Sequence, residues 1–363
     1  MDAVQAIVLV GGEGTRLRPL TYRTPKPMVP IVGVPFLVRT MERLHEAGIL
    51  DVVFAAGYMP QQITDYFGDG SQFGMRITYA IEETPLGTAG ALKNVAEHIR
   101  GPFFVFNGDI LTSLDLRAMM RYHEEKGGVG TLHLIEVEDP SPFGCVVNDA
   151  EGAISAFIEK PPAGTAPCND INAGTYLLER EVLDAIPPGR PVSIERETFP
   201  QLIASGKRLY AYRTRDYWID LGRPEQYLAA HRDVLSGAMP LIVEPGLTGD
   251  GAAAIDRNAI VEPVHVDAGV VIDPTATVGP NAVLGRGCRV GAKAIVRGSV
   301  LWDDVEIGSG ALVEESILAS GVRVGAGAKI GAGSVIGHGV RIKNGAQIEP
   351  SSRIGGQTAG ASE

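Results

Sequence analysis

The chain has 363 residues, 45 % hydrophobic and 21 % charged, the balance of an ordinary folded protein with room for two domains. Its 43 acidic and 32 basic residues leave a net charge of −11, which argues against nucleic acid or an anionic membrane as partner, since either needs a broad positive surface. Three cysteines without CxxC spacing, an opening apolar run "AIVLV" too short for a signal-peptide core, and no later stretch of about 18 uninterrupted apolar residues together lead us to expect a reducing, cytoplasmic setting.

From residue 1 to about 235, short apolar runs alternate with amphipathic segments. The strand candidates are "AIVLV", "VVFAAG", "RITYAI", "FFVFNGD" and "TLHLIEV"; the helix candidates are "FLVRTMERLHEAG", "AGALKNVAEHI" and "LRAMMRYHEEKG". That alternation predicts an α/β domain over 1–235, a Rossmann-like, mostly parallel sheet with helices on both faces. Ligands of such sheets collect at the carboxyl ends of the strands, which directs attention to the loops starting at Gly11, Gly57 and Asn107. Pro224 suits the first turn of one more helix, and residues 236–258 read as a linker.

Beyond the linker an aliphatic residue recurs every six positions: Ile260, Val266, Ile272, Val278, Leu284, Val290 and Val296, then Val324, Ile330, Ile336, Ile342, Ile348 and Ile354. A hexapeptide period belongs to a parallel β-helix, here expected over 259–357 with a short tail at 358–363. Two eleven-residue steps, Val296 to Ile307 and Val313 to Val324, break the period and predict tightened corners. Handedness does not follow from the period; resemblance to the hexapeptide-repeat proteins implies a left-handed coil.

The chemistry concentrates in "VLVGGEGTRLRPLTYRTPKPM", Val8 to Met28. Gly11, Gly12 and Gly14 let backbone N–H groups converge on an anion at the end of a strand, with Thr15 beside them. Arg16 and Lys26 supply charge-assisted contacts to phosphate oxygens, and Pro25 and Pro27 stiffen the backbone on either side of Lys26. The string lacks the GxxxxGK[ST] of a Walker loop, and Leu17 stands where the third glycine of a dinucleotide fingerprint would fall. The seven histidines show neither HxH nor HExxH spacing and there is no GxSxG, so a protein nucleophile is not indicated.

This string resembles the signature GGxGTRLxPLTxxxPKP of the sugar-phosphate nucleotidyltransferases, and every fixed position is matched. The likeness continues through "EETPLGTAGAL", "FNGDIL", "FGCVV", "FIEKP", "INAGTYLL", "SIERETFP" and "YWIDLG" into the hexapeptide tail. It is greatest to members that join GTP and mannose 1-phosphate into a GDP-sugar and pyrophosphate. The resemblance implies that Asp109 and Asp220 hold Mg²⁺, which is typically bound by one or two carboxylates together with substrate phosphates. It implies further that Lys160 binds the phosphate of the sugar 1-phosphate, that Glu159 and Asn172 hold sugar hydroxyls, and that Gly144 leaves room for the ring. Pro85, Gly87 and Thr88 fall in the segment that meets the nucleotide.

For Glu83, or its neighbour Glu82, two readings stand: acceptors for the N1–H and N2 amino group of guanine, or solvated acids before a turn. The same chemistry on other pairs is an alternative, with uridylyl or thymidylyl transfer to glucose 1-phosphate or guanylyl transfer to a heptose phosphate. A non-catalytic nucleotide-sugar sensor is disfavoured, because Arg16, Lys26, Asp109, Lys160 and Asp220 are all present. An acyltransferase activity in the repeats is disfavoured because His265 and His338 stand singly. The coil is expected to serve assembly, in a homo-oligomer.

Overall fold

The computed structural model describes residues 4–239, 246–252 and 255–355; the tail expected at 358–363 and part of the expected linker lie outside them. By its contacts the chain forms two compact units, one running to Gly12 and resuming over Leu37–Trp218, the other comprising Glu13–Phe36 and the residues from Ile219 onward.

In the first unit the elements follow as β1 (Gln5–Val10), α1 (Phe36–Ala47), β2 (Asp51–Ala56), α2 (Pro60–Phe67), β3 (Arg76–Ile81), α3 (Gly87–Asn94), β4 (Phe103–Asn107), α4 (Leu116–Lys126), β5 (Gly130–Glu136), β6 (Gly144–Asn148), β7 (Ile154–Glu159), β8 (Asp170–Leu178), α5 (Phe199–Ala204) and β9 (Leu209–Thr214). All five strand candidates are strands, and the helix candidates correspond to α1, α3 and α4, although α3 ends at Asn94 and the remainder of its candidate forms a separate 3₁₀ turn at Ala96–His98. The ends of α4 show why: the Asp115 carboxylate accepts the Ala118 N–H at 2.9 Å, and Gly127 closes the helix at φ 64°.

The sheet runs β7-β6-β8-β4-β1-β2-β3, with β5 pairing to both β8 and β9. Its β4-β1-β2-β3 half is parallel, as expected, with Val8 opposite both Phe54 and Phe106. The other half is largely antiparallel: β8 runs against β4, β5 and β6, and β6 against β7, so the sheet is mixed. The cause is local. Between β6 and β7 the chain reverses in a tight turn, with Gly152 N–H donating to Asp149 O at 3.1 Å, and no crossover helix fits there.

Both faces of the parallel half are buried. Ile7, Val53 and Val105 share a core with Ala89 and Leu92 of α3, while their alternates Val8, Phe54 and Phe104 are equally enclosed. At the carboxyl end of β4, a Cβ on Gly108 would stand 2.4 Å from Leu9 O, so glycine is required there to bring Asp109 up against the end of β1.

The second unit holds α6 (Pro224–Leu235), with Pro224 in its first turn as expected, and a parallel β-helix of three sheets of two- and three-residue strands. Val278 pairs with Val296, eighteen residues on, so three hexapeptides make one coil. At the two irregular steps the coil shortens to seventeen residues, with Val296 against Val313 and Ile307 against Val324. The shortening falls where Leu301 and Leu318 each follow the preceding inward valine by five residues instead of six, which is the tightened corner the sequence predicts. Serine lines these corners: buried Ser299 accepts the Ser316 N–H on its hydroxyl at 3.0 Å. The aliphatic column from Val264 to Ile342 forms one continuous core, with Ile260, Ile272, Ile348 and Ile354 packed at its margins.

Candidate active site

In the second unit, the signature loop is built from three short 3₁₀ turns, Thr15–Leu17, Leu20–Tyr22 and Lys26–Met28. Gly14 opens the first at φ 62°; a Cβ there would come within 3.0 Å of both Lys26 Cβ and Thr21 Cγ2, so glycine lets the two arms of the loop close on each other. The Thr21 hydroxyl locks that closure by donating to Gly14 O at 2.9 Å. Leu17, Leu20, Pro25 and Pro27 are buried, whereas Thr15 and Arg16 face outward.

Two cations converge on one carboxylate. Arg16 Nη2 and Lys26 Nζ each lie 3.9 Å from an oxygen of Asp220, and the three side chains are 55 %, 10 % and 17 % exposed respectively. Lys26 thus lies low between its prolines, while Arg16 is the more exposed of the two. Gly222 keeps the space clear, since a Cβ on it would fall 2.6 Å from Arg16 Nη2 and 2.9 Å from Asp220 Oδ1. At 3.9 Å these are ion pairs without tight hydrogen-bond geometry.

In the first unit, Gly11 and Gly12 follow β1. A Cβ on Gly11 would meet Gly57 N at 3.5 Å, an ordinary contact, and one on Gly12 would meet nothing within 4 Å. Of the three signature glycines only Gly14 has positive φ, so the left-handed backbone expected of the cluster is confined to that residue. Asp109 lies past the carboxyl end of β4, half-buried.

The segment 82–88 separates the two acids. Glu82 turns back to accept the Leu86 N–H at 3.1 Å, and its burial raises its pKa against the lowering effect of that bond. Glu83 and Pro85 are exposed. Gly87, at φ 69°, enters α3 flush against Val192 O, which a Cβ would approach to 2.7 Å. Thr88 is engaged within the protein: its hydroxyl donates to Glu195 Oε2 at 2.9 Å and accepts the Ile194 N–H at 2.8 Å.

On β6, a Cβ on Gly144 would strike Phe157 at 2.7 Å and Glu159 Oε2 at 2.8 Å, so the absence of a side chain is what lets Glu159 lie over β6. Lys160 adopts φ 49°, is exposed, and lies 3.7 Å from Glu159 through Nζ. Asn172 accepts Gly174 N–H at 3.0 Å and donates to Tyr176 Oη at 2.7 Å.

Sequence reasoning singled out neither Tyr176 nor Glu195. Glu195 Oε2 also accepts from the Ser193 hydroxyl at 2.8 Å, and its Oε1 lies 3.4 Å from Tyr176 Oη. A chain Asn172–Tyr176–Glu195–Thr88 therefore ties β8 to the first turn of α3. The signal was in "INAGTYLL" and "SIERETFP", whose polar residues have no distinguishing periodicity.

Among the described residues no group of three or more His, Cys, Asp and Glu gathers to hold a metal. The donor chemistry suits a hard cation that takes its remaining ligands from elsewhere, since Asp220 offers carboxylate oxygens. Among the described residues no helix is long and apolar enough to cross a membrane.

The nucleotidyl transferase family model matches residues 5–237, and residues 250–348 match the EIF2B subunit epsilon LbH domain, a left-handed β-helix. Mannose-1-phosphate guanylyltransferase of Mycobacterium tuberculosis is 41 % identical over 313 residues, covering 86 % of this chain and 83 % of that protein. UTP–glucose-1-phosphate uridylyltransferase of Synechocystis is 34 % identical over 340 residues, 87 % of each. Among solved structures, HddC from Yersinia pseudotuberculosis complexed with GMP-PN is 31 % identical at a TM-score of 0.55, covering 64 % of this chain and 99 % of that one. With its signature loop, mixed sheet and hexapeptide coil, this chain belongs to the nucleotidyl transferase family.

Proposed function

We propose that the protein transfers the guanylyl group of GTP to α-D-mannose 1-phosphate, giving GDP-mannose and pyrophosphate. The observation that carries the reading is the pair of cations, Arg16 and Lys26, poised at 3.9 Å around Asp220, an arrangement ready to exchange one carboxylate for a polyphosphate. The choice of GTP and mannose 1-phosphate is supported by the relative from Mycobacterium tuberculosis.

A sugar phosphate has a second pKa near ~6, so at neutral pH its attacking oxygen is already mostly ionised and needs no general base. That oxygen bonds to the α-phosphorus, the bond from this phosphorus to the bridging oxygen breaks, and pyrophosphate departs with the electron pair. The protein's task is alignment and charge neutralisation. Arg16 and Lys26 neutralise the triphosphate, with Gly11, Gly12, Gly14 and Thr15 giving it access. Lys160 anchors the sugar phosphate, and Gly144, Glu159 and Asn172 orient the uncharged ring by shape and hydrogen bonds. Pro85, Gly87 and Thr88 shape the nucleotide side, and Glu83 reads guanine. Asp109 and Asp220 would hold Mg²⁺, as the resemblance implies, and the ion would supply further neutralisation of phosphate charge. We place the reaction in the cytoplasm, consistent with the free thiols of Cys145, Cys168 and Cys288, and assign the β-helix a part in homo-oligomer assembly.

The test is a matrix of GTP, UTP, dTTP and ATP against mannose, glucose and heptose 1-phosphates with Mg²⁺, following pyrophosphate release and product mass. GTP with mannose 1-phosphate should exceed every other pair. A preference for UTP with glucose 1-phosphate would instead place the protein with the uridylyl-transferring members.

A further inference from the structure

Arg16 acts through its guanidinium, but the backbone that carries it has a weak point written into the sequence. In a 3₁₀ turn each carbonyl accepts from the N–H three residues on. Gly14 O and Thr15 O do so, accepting from Leu17 at 2.9 Å and Arg18 at 3.2 Å. Arg16 O has no such donor available, because the residue three on is Pro19, which lacks an N–H.

The donor comes from the far end of the chain. Arg353, on the last described coil of the β-helix, directs Nη1 to Arg16 O at 3.2 Å and to Arg18 O at 2.9 Å, bridging the two carbonyls on either side of Leu17. Around this contact the coil is shaped to receive the loop. Pro19 lies against Gly337 and Gly355, where an added Cβ would stand 3.2 and 3.3 Å from its ring. His338 meets the Thr24 hydroxyl at 3.2 Å and is itself braced by the Trp302 ring at 5.3 Å. Two coils back, the Trp302 indole N–H donates to Tyr227 Oη at 3.1 Å, and Tyr227 in turn donates to Pro30 O at 2.5 Å. The coil therefore grips the loop at both arms.

We infer that Arg353 is a positioning residue for the transfer reaction: it fixes the Arg16 backbone so that the guanidinium is aimed before substrate arrives, giving the β-helix a direct part in catalysis besides assembly. The inference rests on the role proposed above for Arg16. Arg353 is exposed and lies on a terminal coil, so its removal leaves the folded core intact. An error of about 1 Å in the placement of a charge-stabilising group costs on the order of 100-fold in rate, and loosening this tether should cost about ten-fold in kcat, with the KM for the sugar phosphate unchanged.

The experiment compares full-length wild type, Arg353→Ala and Arg353→Lys on whichever substrate pair wild type turns over best, alongside thermal midpoints and amide exchange in residues 13–23. A lowered kcat in Arg353→Ala, faster exchange of the Leu17 and Arg18 amides, an unchanged midpoint and partial recovery of both in Arg353→Lys are expected. Unchanged exchange and kcat in Arg353→Ala would overturn the inference, and so would a loss shared equally by Arg353→Lys and tracking a lowered midpoint. Should wild type turn over no pair, the functional reading fails by itself while amide exchange still decides whether Arg353 holds the loop.

Discussion

Lys26 and Glu83 mark the two extremes of what a residue's setting reveals. Lys26 is 10 % exposed, flanked by prolines and packed against Gly14, so its direction is fixed by the backbone and its chemistry follows from that direction. Glu83 is exposed at the head of a turn whose structural work Glu82 already performs by accepting the Leu86 N–H. Of the two acids only Glu83 is therefore left with its carboxylate outward, which favours it as the reader of guanine. Glu83→Gln should lower kcat/KM for GTP by about ten-fold, the scale of about 1–3 kcal/mol for a lost charged hydrogen bond, while leaving UTP use nearly unchanged. Equal loss on both nucleotides would assign Glu83 to the turn. The same scale shows the limit of reading residues singly: Thr88 is legible as part of a nucleotide-side motif, yet its hydroxyl is committed to Glu195 and Ile194, 107 and 106 positions away.

Elements were legible where period and caps agree. The apolar runs of β1, β2 and β4 are parallel neighbours, and α4 starts and stops at its Asp115 and Gly127. The antiparallel half was not read in advance, because β8 pairs with β5 along one edge while its other edge passes from β6 at Ile171 to β4 at Thr175–Leu178, and an apolar run does not encode such a change of neighbour. A consequence for stability lies on β5. His133, fully enclosed with Nε2 2.9 Å from the Thr214 hydroxyl, has its pKa pushed down to about 3 by burial, assisted by the nearby Arg43 charge. An unfolded histidine titrates near ~6.5. Between pH 6.5 and the folded value the unfolded chain binds the extra proton, so stability is full above about 6.5 and falls as pH decreases, by about 1.4 kcal/mol per pH unit. In urea titrations at pH 7 and 5, wild type should lose about 2 kcal/mol more than His133→Gln; equal losses would mean that His133 is not held neutral.

At the scale of the whole molecule, the period of six announced a β-helix and even its two shortened corners, because inward residues repeat whatever the coil packs against. No period encodes that Arg353 reaches Arg16 O across 337 positions, or that His338, a lone histidine in the repeats, meets Thr24. Such contacts arise from surface residues whose partners are set by the folded coil, and sequence patterning is silent about them. They also explain why residues 13–36 group with the β-helix, although they lie between β1 and α1 in the chain. The picture that results is of a charged loop tied to the coil at Arg16, Arg18 and Thr24, with Arg16 and Lys26 gathered beside Asp220.

The most direct measurement of that claim is a crystal structure of the full chain with Mg²⁺ and a non-hydrolysable GTP analogue. The account predicts phosphate oxygens within hydrogen-bonding distance of Arg16 and Lys26, and Asp220 turned from those cations to the metal. A triphosphate bound elsewhere, with Arg16 and Lys26 still paired to Asp220, would contradict it.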